Sequence, residues 1–406
     1  MSKFFNSKSL FLFASALCLL TFQFARVLTS ISVGLLLISG IWALLESPSK
    51  LKTLKSNPLF LIMVLLFVLP VLDILKGPEI GPWSDELARK IGVIAIPLAV
   101  ITHIEVNPKI MRTILAAFVI TMAGSAGISS VKYLMDMDAI NTALLQSKHV
   151  PLIADVHHIY FGLFLAISMV VTFWLFRTER ASQKRWWMLL LIVQFVSMQL
   201  LSSRTGLIAF YAGVFVMAFV YFVQIKKLQV RIGIAVGLLL LPLVAVVISP
   251  SLRHKISNTQ EDIAAADTGG ENINFKSFAM RMEAWKMCLE LIKEHPLVGV
   301  GASNLEKELA NKYEESNSVL IEENRVGPHN QFLESTVAHG FVGGLSVLAL
   351  FLIPLGYAKR LNIFFIGTWA ILGTAMMVES LFERQLGIIL FGFFFFWSFS
   401  LLGKKK

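Results

Sequence analysis

Charged residues and cysteines are both scarce in this 406-residue chain. Only 15% of its residues are charged, against about 25% in ordinary soluble proteins, whereas 56% are hydrophobic. A soluble domain of this size could not bury so much apolar surface, so that class is excluded. The two cysteines, Cys18 and Cys288, offer neither a disulfide framework nor the spacing of a metal site. Motifs of P-loop proteins, α/β-hydrolases and zinc proteases are absent as well.

Long apolar stretches recur from one end of the sequence to the other. Each is about 17–25 residues long, enough to cross roughly 30 Å of hydrocarbon as a helix. Their recurrence excludes a single cleaved signal peptide. The predicted fold class is therefore all-α, a polytopic membrane protein with about 12 transmembrane helices. The predicted spans are 9–28, 30–46, 57–75, 89–106, 110–130, 157–176, 187–203, 206–224, 232–249, 330–357, 361–378 and 386–402.

Basic residues are concentrated on one side of these spans. If both termini are inside, the inner segments hold more than half of the 36 Lys and Arg residues. The same segments hold only three acidic residues, Glu46, Glu105 and Glu179. Positive short loops mark the cytoplasmic side. The net charge of +10 is therefore a topology signal and does not indicate a nucleic-acid partner.

One connection is much longer than the others and lies on the predicted outer side. We expect spans 1–9 in residues 1–249, a periplasmic loop with two or more helices in 250–329, and spans 10–12 with a basic cytoplasmic tail in 330–406. Inside the loop, residues 257–274 are polar and glycine-containing and are predicted to be mobile. Loops this long usually carry elements of their own.

Two amphipathic helices are predicted in the loop. The first covers residues 277–294, and a capping box of Ser303 and Glu306 is expected to start the second. Both need a surface to cover, and the outer face of the membrane bundle is available. The apolar stripe of the first consists of Phe278, Met282, Trp285, Leu289 and Ile292.

Ionisable residues near the membrane are the first candidates for function, because each costs about 2.5–3.5 kcal/mol at membrane depth. Arg204 lies in a tight outer hairpin, where it either marks the interface by snorkelling or binds a ligand. Arg281 lies beside the apolar stripe of the first loop helix. It either points along the seam toward the membrane or is solvated and paired with a neighbour such as Glu283.

His329 follows Gly327-Pro328 at the start of span ten, and proline suits the first turn of a helix. We expect the helix dipole there to favour a neutral ring that accepts a proton as a general base. A helix-capping or interfacial histidine is the alternative. Asn330 and Glu334, four residues apart, are predicted to orient the ring, the acceptor or both, whereas His339 is expected to be a packing residue.

Further polar residues cluster at the outer entries of spans four and six. Each serves either the site or the membrane interface, and all lie on the same predicted side as the stronger candidates. They are Asp85, Glu86, Arg89, Lys90, Asp155, His157, His158 and Tyr160.

Two arginines and one histidine suit a reaction on a phosphate-bearing, lipid-held substrate. Arginine binds phosphate oxygens through paired, permanently charged contacts, which would stabilise a diphosphate leaving group. A donor that already carries its energy in a phosphate bond needs neither nucleotide nor metal, so no cofactor is expected.

Three motifs, in this order, resemble the O-antigen ligase and polymerase superfamily. They are LSSRTG at 201–206, the helix with Arg281 leading to HPLVGVG at 295–301, and GPHNQFLE at 327–334. The resemblance to the ligases implies a GT-C-type glycosyltransferase of the bacterial inner membrane. It implies inverting, metal-independent transfer of O-antigen from undecaprenyl diphosphate to a sugar hydroxyl of lipid A–core oligosaccharide. In this resemblance Arg204 and Arg281 match the diphosphate-binding arginines and His329 matches the essential histidine.

Other functions remain open at this point. A polymerase uses the same donor with a second lipid-linked glycan as acceptor. A lipid-linked oligosaccharide transporter would be expected to carry charged or broken helices near the bilayer midplane, whereas these spans are largely free of charge at their centres. A structural scaffold would not need Arg204 or His329. The expected partners are thus the lipid-linked donor, the lipid A–core acceptor and the bilayer, without nucleotide or nucleic acid.

Overall fold

A computed structural model describes residues 6–145, 149–201, 203–248, 250–268, 273–360 and 362–401. These residues form helices and connecting turns, without a strand among them, which confirms the all-α prediction. Short 3₁₀ segments and one π-helical segment, Leu390–Phe395, supplement the α-helices. The α-helices are α1 (Ser7–Thr21), α2 (Arg26–Glu46), α3 (Lys50–Lys55), α4 (Pro58–Leu72), α5 (Ile80–Thr102), α6 (Pro108–Met135), α7 (Met137–Leu145), α8 (His158–Thr178), α9 (Ala181–Leu201), α10 (Arg204–Gln224), α11 (Leu228–Ile248), α12 (Pro250–Thr268), α13 (Ser277–Glu294), α14 (Leu305–Glu315), α15 (Gln331–Leu352), α16 (Ile363–Met376), α17 (Gln385–Ile389) and α18 (Phe396–Ser400).

Helical structure lies at every predicted span, and several of these helices can cross a membrane. By length and composition, six helices in the described part of the chain are long and apolar enough, which supports a polytopic membrane protein. The count of twelve, the orientation and the division into domains stay predictions. The basic tail, Lys404 to Lys406, lies outside the described residues. The six helices that are long and apolar enough to cross a membrane are Arg26–Glu46, Pro58–Lys76, Pro108–Met135, His158–Thr178, Arg204–Gln224 and Gln331–Tyr357.

Asparagine side chains set the start of several helices. Asn57 and Asn107 cap α4 and α6, and each is followed by a proline at the first helical position. Asn330 and Asn362 cap α15 and α16 in the same way. An N-cap oxygen accepts backbone N–H groups that have no partner within the helix, so these residues locate the helix ends from sequence alone.

Helix α8 forms the centre of the bundle. Its best 18-residue window is 78% buried, the largest share among the six long apolar helices. It packs against α6, α9, α10 and α16, and buried phenylalanines such as Phe161 and Phe164 fill its surroundings. A helix buried on all sides carries its first residues, His158 and Tyr160, to a fixed place at one end of the bundle.

Helix α15 is broken at His339-Gly340, where Gly340 has φ +63°. The break frees carbonyls that residues before α14 then bind. Val300 N–H donates to the Val337 carbonyl (2.9 Å), and Gly301 N–H donates to the Ala338 carbonyl (2.8 Å). A Cβ on Gly340 would lie 2.3 Å from the backbone of Leu297. Within the HPLVGVG motif, Gly299 has φ +65°, and a Cβ there would lie 2.4 Å from the Ala338 backbone, so this glycine allows close backbone packing of the loop on the broken helix α15.

A buried carboxylate secures this junction from a third element. Asp73, after α4, accepts from the Ala302 backbone N–H (2.8 Å) and from Lys76 Nζ (2.8 Å). His339 is buried as predicted, with Nδ1 3.5 Å from Asp73 Oδ1. Because a lone buried charge is costly, these contacts are what allow Asp73 to be placed there.

The loop between α11 and α15 differs from its prediction in three respects. Residues 257–268 belong to helix α12, so the expectation of a mobile segment there was wrong. Helix α14 begins at Leu305 after Asn304, without a side-chain cap, so the predicted Ser303 capping box is absent. The apolar stripe of α13 was also assigned to the wrong face. Phe278 and Leu289 are exposed, whereas the buried side chains are Ala279, Ala284, Met287, Cys288 and Leu291.

Candidate functional site

A cavity of about 1020 Å³ lies where the first turns of α8 and α10 meet α12 and α13. Arg204, Arg281 and His158 all line it. Its walls are mostly apolar, with polar groups concentrated around the arginines, which is the usual composition of a ligand-binding cavity. The structure therefore brings together three candidates that are far apart in the sequence.

Arg204 is the first residue of α10, and its guanidinium is paired within the cavity. Nη1 donates to Asp262 Oδ2 at 2.8 Å, and the aspartate side chain is almost fully buried. Asp262 lies on α12, in the stretch for which no helix was expected. The pair keeps the arginine in place, and a phosphate entering the cavity must compete with Asp262 or share Arg204 with it.

Arg281 reaches the cavity from α13. Its Nη2 lies 4.0 Å from Glu379 Oε2, and only 21% of its side chain is exposed. Burial lowers the pKa of the Arg281 guanidinium, with the positive charge of Arg204 acting in the same direction and Glu379 opposing it. Two arginines that face one cavity favour an anionic ligand between them.

His329 does not lie in the first turn of α15, contrary to the prediction. The helix begins at Gln331 after the cap Asn330, so His329 precedes the cap and has φ +45°. That left-handed conformation costs a histidine about 1–3 kcal/mol, and such strain is common at functional sites. Trp285 of α13 secures the turn, because its Nε1 donates to the Pro328 carbonyl at 2.7 Å.

Glu379 links His329 to Arg281 and was not predicted. His329 Nδ1 lies 3.5 Å from Glu379 Oε2, the same oxygen that faces Arg281. This oxygen is buried and accepts no hydrogen bond from the described residues. Val378, the residue before it, lines the cavity, whereas His329 is not among the described lining residues. His329 therefore stands beside the cavity, joined to it through Glu379.

The turn at residues 377–384, between α16 and α17, holds Glu379 in place. Gln331 Oε1 accepts from the Phe382 backbone N–H at 2.6 Å. Glu334 Oε2 accepts from Ser380 Oγ at 2.9 Å, and Lys90 pairs with Glu383 Oε1 at 3.0 Å. Two of these three contacts come from the first turns of α15, directly after His329. The helix that follows the histidine thus also positions its carboxylate partner.

The lower-ranked candidates have mixed placements. Asn330 caps α15 by accepting from the Phe332 and Leu333 backbone N–H groups, so it supports the site by fixing the start of this helix. Glu334 accepts from Ser380, so it supports the site by holding the 377–384 turn. Arg89 pairs with Glu86 at 2.6 Å and is more than half exposed, away from the described lining of the cavity. The Tyr160 hydroxyl is buried without a hydrogen-bond partner in the described part of the chain.

The arrangement has the parts of a group-transfer site. Two arginines face one cavity and can hold a diphosphate. A carboxylate oxygen 3.5 Å from Nδ1 of His329 would stabilise the imidazolium that forms when the ring takes up a hydroxyl proton. The left-handed turn fixes the ring position before any substrate arrives, which is the preorganisation that such chemistry needs.

Comparison with known proteins adds two matches. A family model described as O-antigen ligase matches residues 189–348, which contain Arg204, Arg281 and His329. An uncharacterised protein of Haemophilus influenzae is 27% identical over 201 residues, covering 48% of this chain and 49% of that protein. The match therefore spans about half the length of this curated relative.

Proposed function

We propose that the chain, whose residues 189–348 match the family model described as O-antigen ligase, is an O-antigen ligase. It transfers O-antigen polysaccharide from undecaprenyl diphosphate to a sugar hydroxyl of lipid A–core oligosaccharide. The reaction takes place at the periplasmic face of the bacterial inner membrane, with both termini of the chain in the cytoplasm. The observation that carries the proposal is the placement of Arg204 and Arg281 in one cavity with the His329–Glu379 pair beside it.

Arg204 and Arg281 bind the diphosphate of the donor. As the bond from the sugar to the diphosphate breaks, negative charge grows on the leaving oxygen, and two fixed guanidinium groups stabilise it without reorganising. Asp262 and Glu379 keep both arginines oriented while the cavity is empty. The incoming diphosphate then supplies the charge that these single carboxylates do not fully balance.

His329 takes the proton of the acceptor hydroxyl. Glu379 at Nδ1 directs Nε2 to that role and compensates the positive charge on the ring. Because the hydroxyl attacks the anomeric carbon from the side opposite the diphosphate, the product has inverted configuration. The only groups this route requires are those of the protein and its two lipid-linked substrates.

The test is a strain that lacks this protein, examined for lipopolysaccharide and for undecaprenyl-linked glycans together. Core-only lipopolysaccharide with long polymer remaining on the lipid carrier is the expected result. Core bearing one repeat, with no long polymer anywhere, would instead identify the polymerase. An unchanged pattern would contradict both functions.

Complementation then tests the residues. His329→Gln and Arg204→Ala should fail to restore the polymer, whereas Arg26→Ala should restore it fully. Arg26 is a matched control because it forms an exposed pair with Asp155, with 75% and 71% of the two side chains accessible. Such pairs contribute at most about 1 kcal/mol.

A further inference from the structure

A second cavity, of about 550 Å³, lies at the other end of the helix bundle from the candidate site. Residues of α8, α9, α10, α11 and α16 form it, and Arg177 and Tyr221 line it from the last turns of α8 and α10. The first residues of these two helices, His158 and Arg204, line the site cavity instead. The two cavities have no described lining residue in common. The second cavity is therefore a separate feature of the bundle.

The second cavity is apolar along its length and polar at one end. Among its described lining residues, Arg177 and Tyr221 carry the polar groups, and the others have aliphatic, aromatic or methionine side chains. Along α10 the lining runs from Phe210 to Tyr221, which is about 16 Å at 1.5 Å per residue. This length is about half of the roughly 30 Å of hydrocarbon in a bilayer. The cavity therefore has the length of a lipid chain of one leaflet, with the arginine at the headgroup end.

The second cavity opens on the side of the bundle. Of its lining residues, Ile192 and Tyr221 are 53% and 45% exposed, whereas Met169, Val170 and Phe210 are buried. Its inner wall thus belongs to the protein core, and its mouth faces outward between helices. Because α8 and α10 are long and apolar enough to cross a membrane, this mouth faces hydrocarbon. A lipid can enter the cavity laterally from the bilayer.

Basic residues are concentrated at the ends of the helices that form this cavity. Residues 177–185 and 226–231, around the α8–α9 and α10–α11 turns, contain seven Lys or Arg and one acidic residue, Glu179. Glu179 is already paired with Arg112 at 2.7 Å. None of the seven forms an ion pair within the part of the chain that the structure describes. The seven are Arg177, Arg180, Lys184, Arg185, Lys226, Lys227 and Arg231.

Contacts place three of these cations at the polar end of the cavity. Arg177 lines the cavity itself. Lys184 Nζ lies 5.4 Å from the ring centroid of Phe176, the residue before Arg177. The Arg231 guanidinium lies 5.2 Å from the ring centroid of Phe222, in the last turn of α10. Positive charge without an acidic partner thus lies at the level where a lipid chain in the cavity would end.

We propose that the second cavity binds an anionic phospholipid, with an acyl chain along α10 and the phosphate at Arg177. Arginine binds phosphate oxygens through paired, permanently charged contacts, and the Tyr221 hydroxyl can donate to a further headgroup oxygen. Basic cavities between membrane helices on the cytoplasmic side bind anionic headgroups in this way. Both turns lie on the side that the charge distribution predicts to be cytoplasmic. The site does not depend on the transferase function.

The charge around the cavity mouth selects the kind of phospholipid. A zwitterionic headgroup would bring a positive amine close to Lys184 and Arg231, which repel it. A headgroup with a net negative charge meets only attraction there, because the acidic Glu179 is held by Arg112. We therefore expect phosphatidylglycerol to bind more tightly than phosphatidylcholine.

The experiment titrates the full chain, purified in detergent and freed of lipid, with phosphatidylglycerol or phosphatidylcholine. Native mass spectrometry measures the bound lipid, and Tm is recorded in parallel. Arg177→Gln should weaken phosphatidylglycerol binding about tenfold, as loss of one charge-assisted contact does. It should also remove most of the increase in Tm that this lipid gives the wild type. Arg177→Lys should keep most of the affinity.

Two further variants separate the site from the general charge of the turn. Arg180→Gln is the matched control, because Arg180 is exposed in the same turn and is not among the described lining residues. It should change the affinity by at most about twofold, since an exposed charge acts weakly. Ala218→Phe fills the cavity from its wall and should exclude the lipid. An unchanged Tm of this variant without lipid verifies its fold.

Four results would overturn the site. They are equal losses for Arg177→Gln and Arg180→Gln, equal binding of the two phospholipids by the wild type, retention of a polyprenyl lipid in place of phosphatidylglycerol, and displacement of the bound lipid by an equal concentration of glycerol phosphate, which has no acyl chain. A tenfold loss confined to Arg177→Gln supports it.

Discussion

The arginine side and the histidine side of the site are built differently. Arg204 depends on one ion pair with a residue of α12, and its side chain remains about one-third exposed. His329 is held by a strained turn, a tryptophan hydrogen bond to the residue before it and a carboxylate that a network keeps in place. One side is a partly exposed charge held by a single ion pair, and the other is held by several contacts.

This difference matches two chemical tasks. A diphosphate is large and highly charged, so long side chains can adjust to it with little loss. Proton transfer requires hydrogen-bond distance and direction, so a displacement of about 1 Å is costly. Changes on the histidine side should therefore lower turnover, whereas changes on the arginine side should mainly alter the donor KM.

The largest effect is expected from Glu379→Gln. The amide keeps the shape of the side chain but cannot stabilise the His329 imidazolium, so kcat should fall by about 100-fold or more, the range of general acid–base catalysis. Steady-state transfer assays in nanodiscs measure this directly. Asp155→Asn, an exposed carboxylate of the Arg26 pair, serves as control. A kcat within threefold of wild type would remove Glu379 from the mechanism.

Gly340→Ala should disrupt the backbone packing between the break in α15 and the preceding loop, which supports both the arginine side and the histidine side of the site. Its Cβ would lie 2.3 Å from the Leu297 backbone, and φ +63° is unfavourable for alanine. We expect a loss of at least about 2 kcal/mol in stability, seen as a lower Tm in detergent. Gly327→Ala is the matched control, because no atom lies within 4 Å of its Cβ position. Equal Tm values for the two variants would contradict the interlocked backbone.

Trp285→Phe removes one hydrogen bond from the histidine turn and keeps most of the ring volume. The Pro328 carbonyl loses the indole donor 2.7 Å away, which is worth about 1 kcal/mol or about fivefold in kcat. The donor KM should stay the same, because the arginines are untouched. If the donor KM rises instead, Trp285 serves the arginine side and the comparison needs revision.

Asp262→Asn should have the smallest effect and the opposite sign. Without the carboxylate, no protein group competes with the diphosphate for the Arg204 guanidinium. The donor KM should therefore decrease by about threefold, which corresponds to the free energy of a partly exposed ion pair. A stronger dependence of the donor KM on ionic strength should accompany it, because the cavity gains net positive charge. An increased KM would show that Asp262 orients Arg204 more than it competes for it.

The sequence pointed to the basic candidates of the site but not to their acidic partners, for a physical reason. Arg204, Arg281 and His329 are charged or titratable groups at predicted membrane boundaries. The free-energy cost of placing such groups near hydrocarbon makes them candidates for function from sequence alone. Asp262 was missed because its polar stretch showed no apolar period, although it forms a helix. Glu379 lies in the short turn MVESLFER, where its charge could have been noted, but its pairing with His329 depends on the packing of α15 against residues 377–384.

The start of a helix depends on local sequence more than the choice of its buried face does. The asparagine caps and the prolines after them act locally, so Asn57 and Asn107 mark their helices without tertiary information. The buried face of α13 depends on which neighbour covers it, and the small residues Ala279 and Ala284 pack there together with Met287 and Leu291. Periodicity alone could not distinguish these two faces.

The break in α15 also bears on how the chain is inserted. Helix α15 is long and apolar enough to cross a membrane, and in hydrocarbon the Val337 and Ala338 carbonyls at its break would be unpaired without the backbone of residues 300–301. That backbone is synthesised first, since it precedes α15 in the chain. Because the ribosome synthesises the chain from its N-terminus, residues 300–301 are outside the membrane before α15, which needs their N–H groups, is inserted. Moving the loop behind α15 by circular permutation would reverse this order.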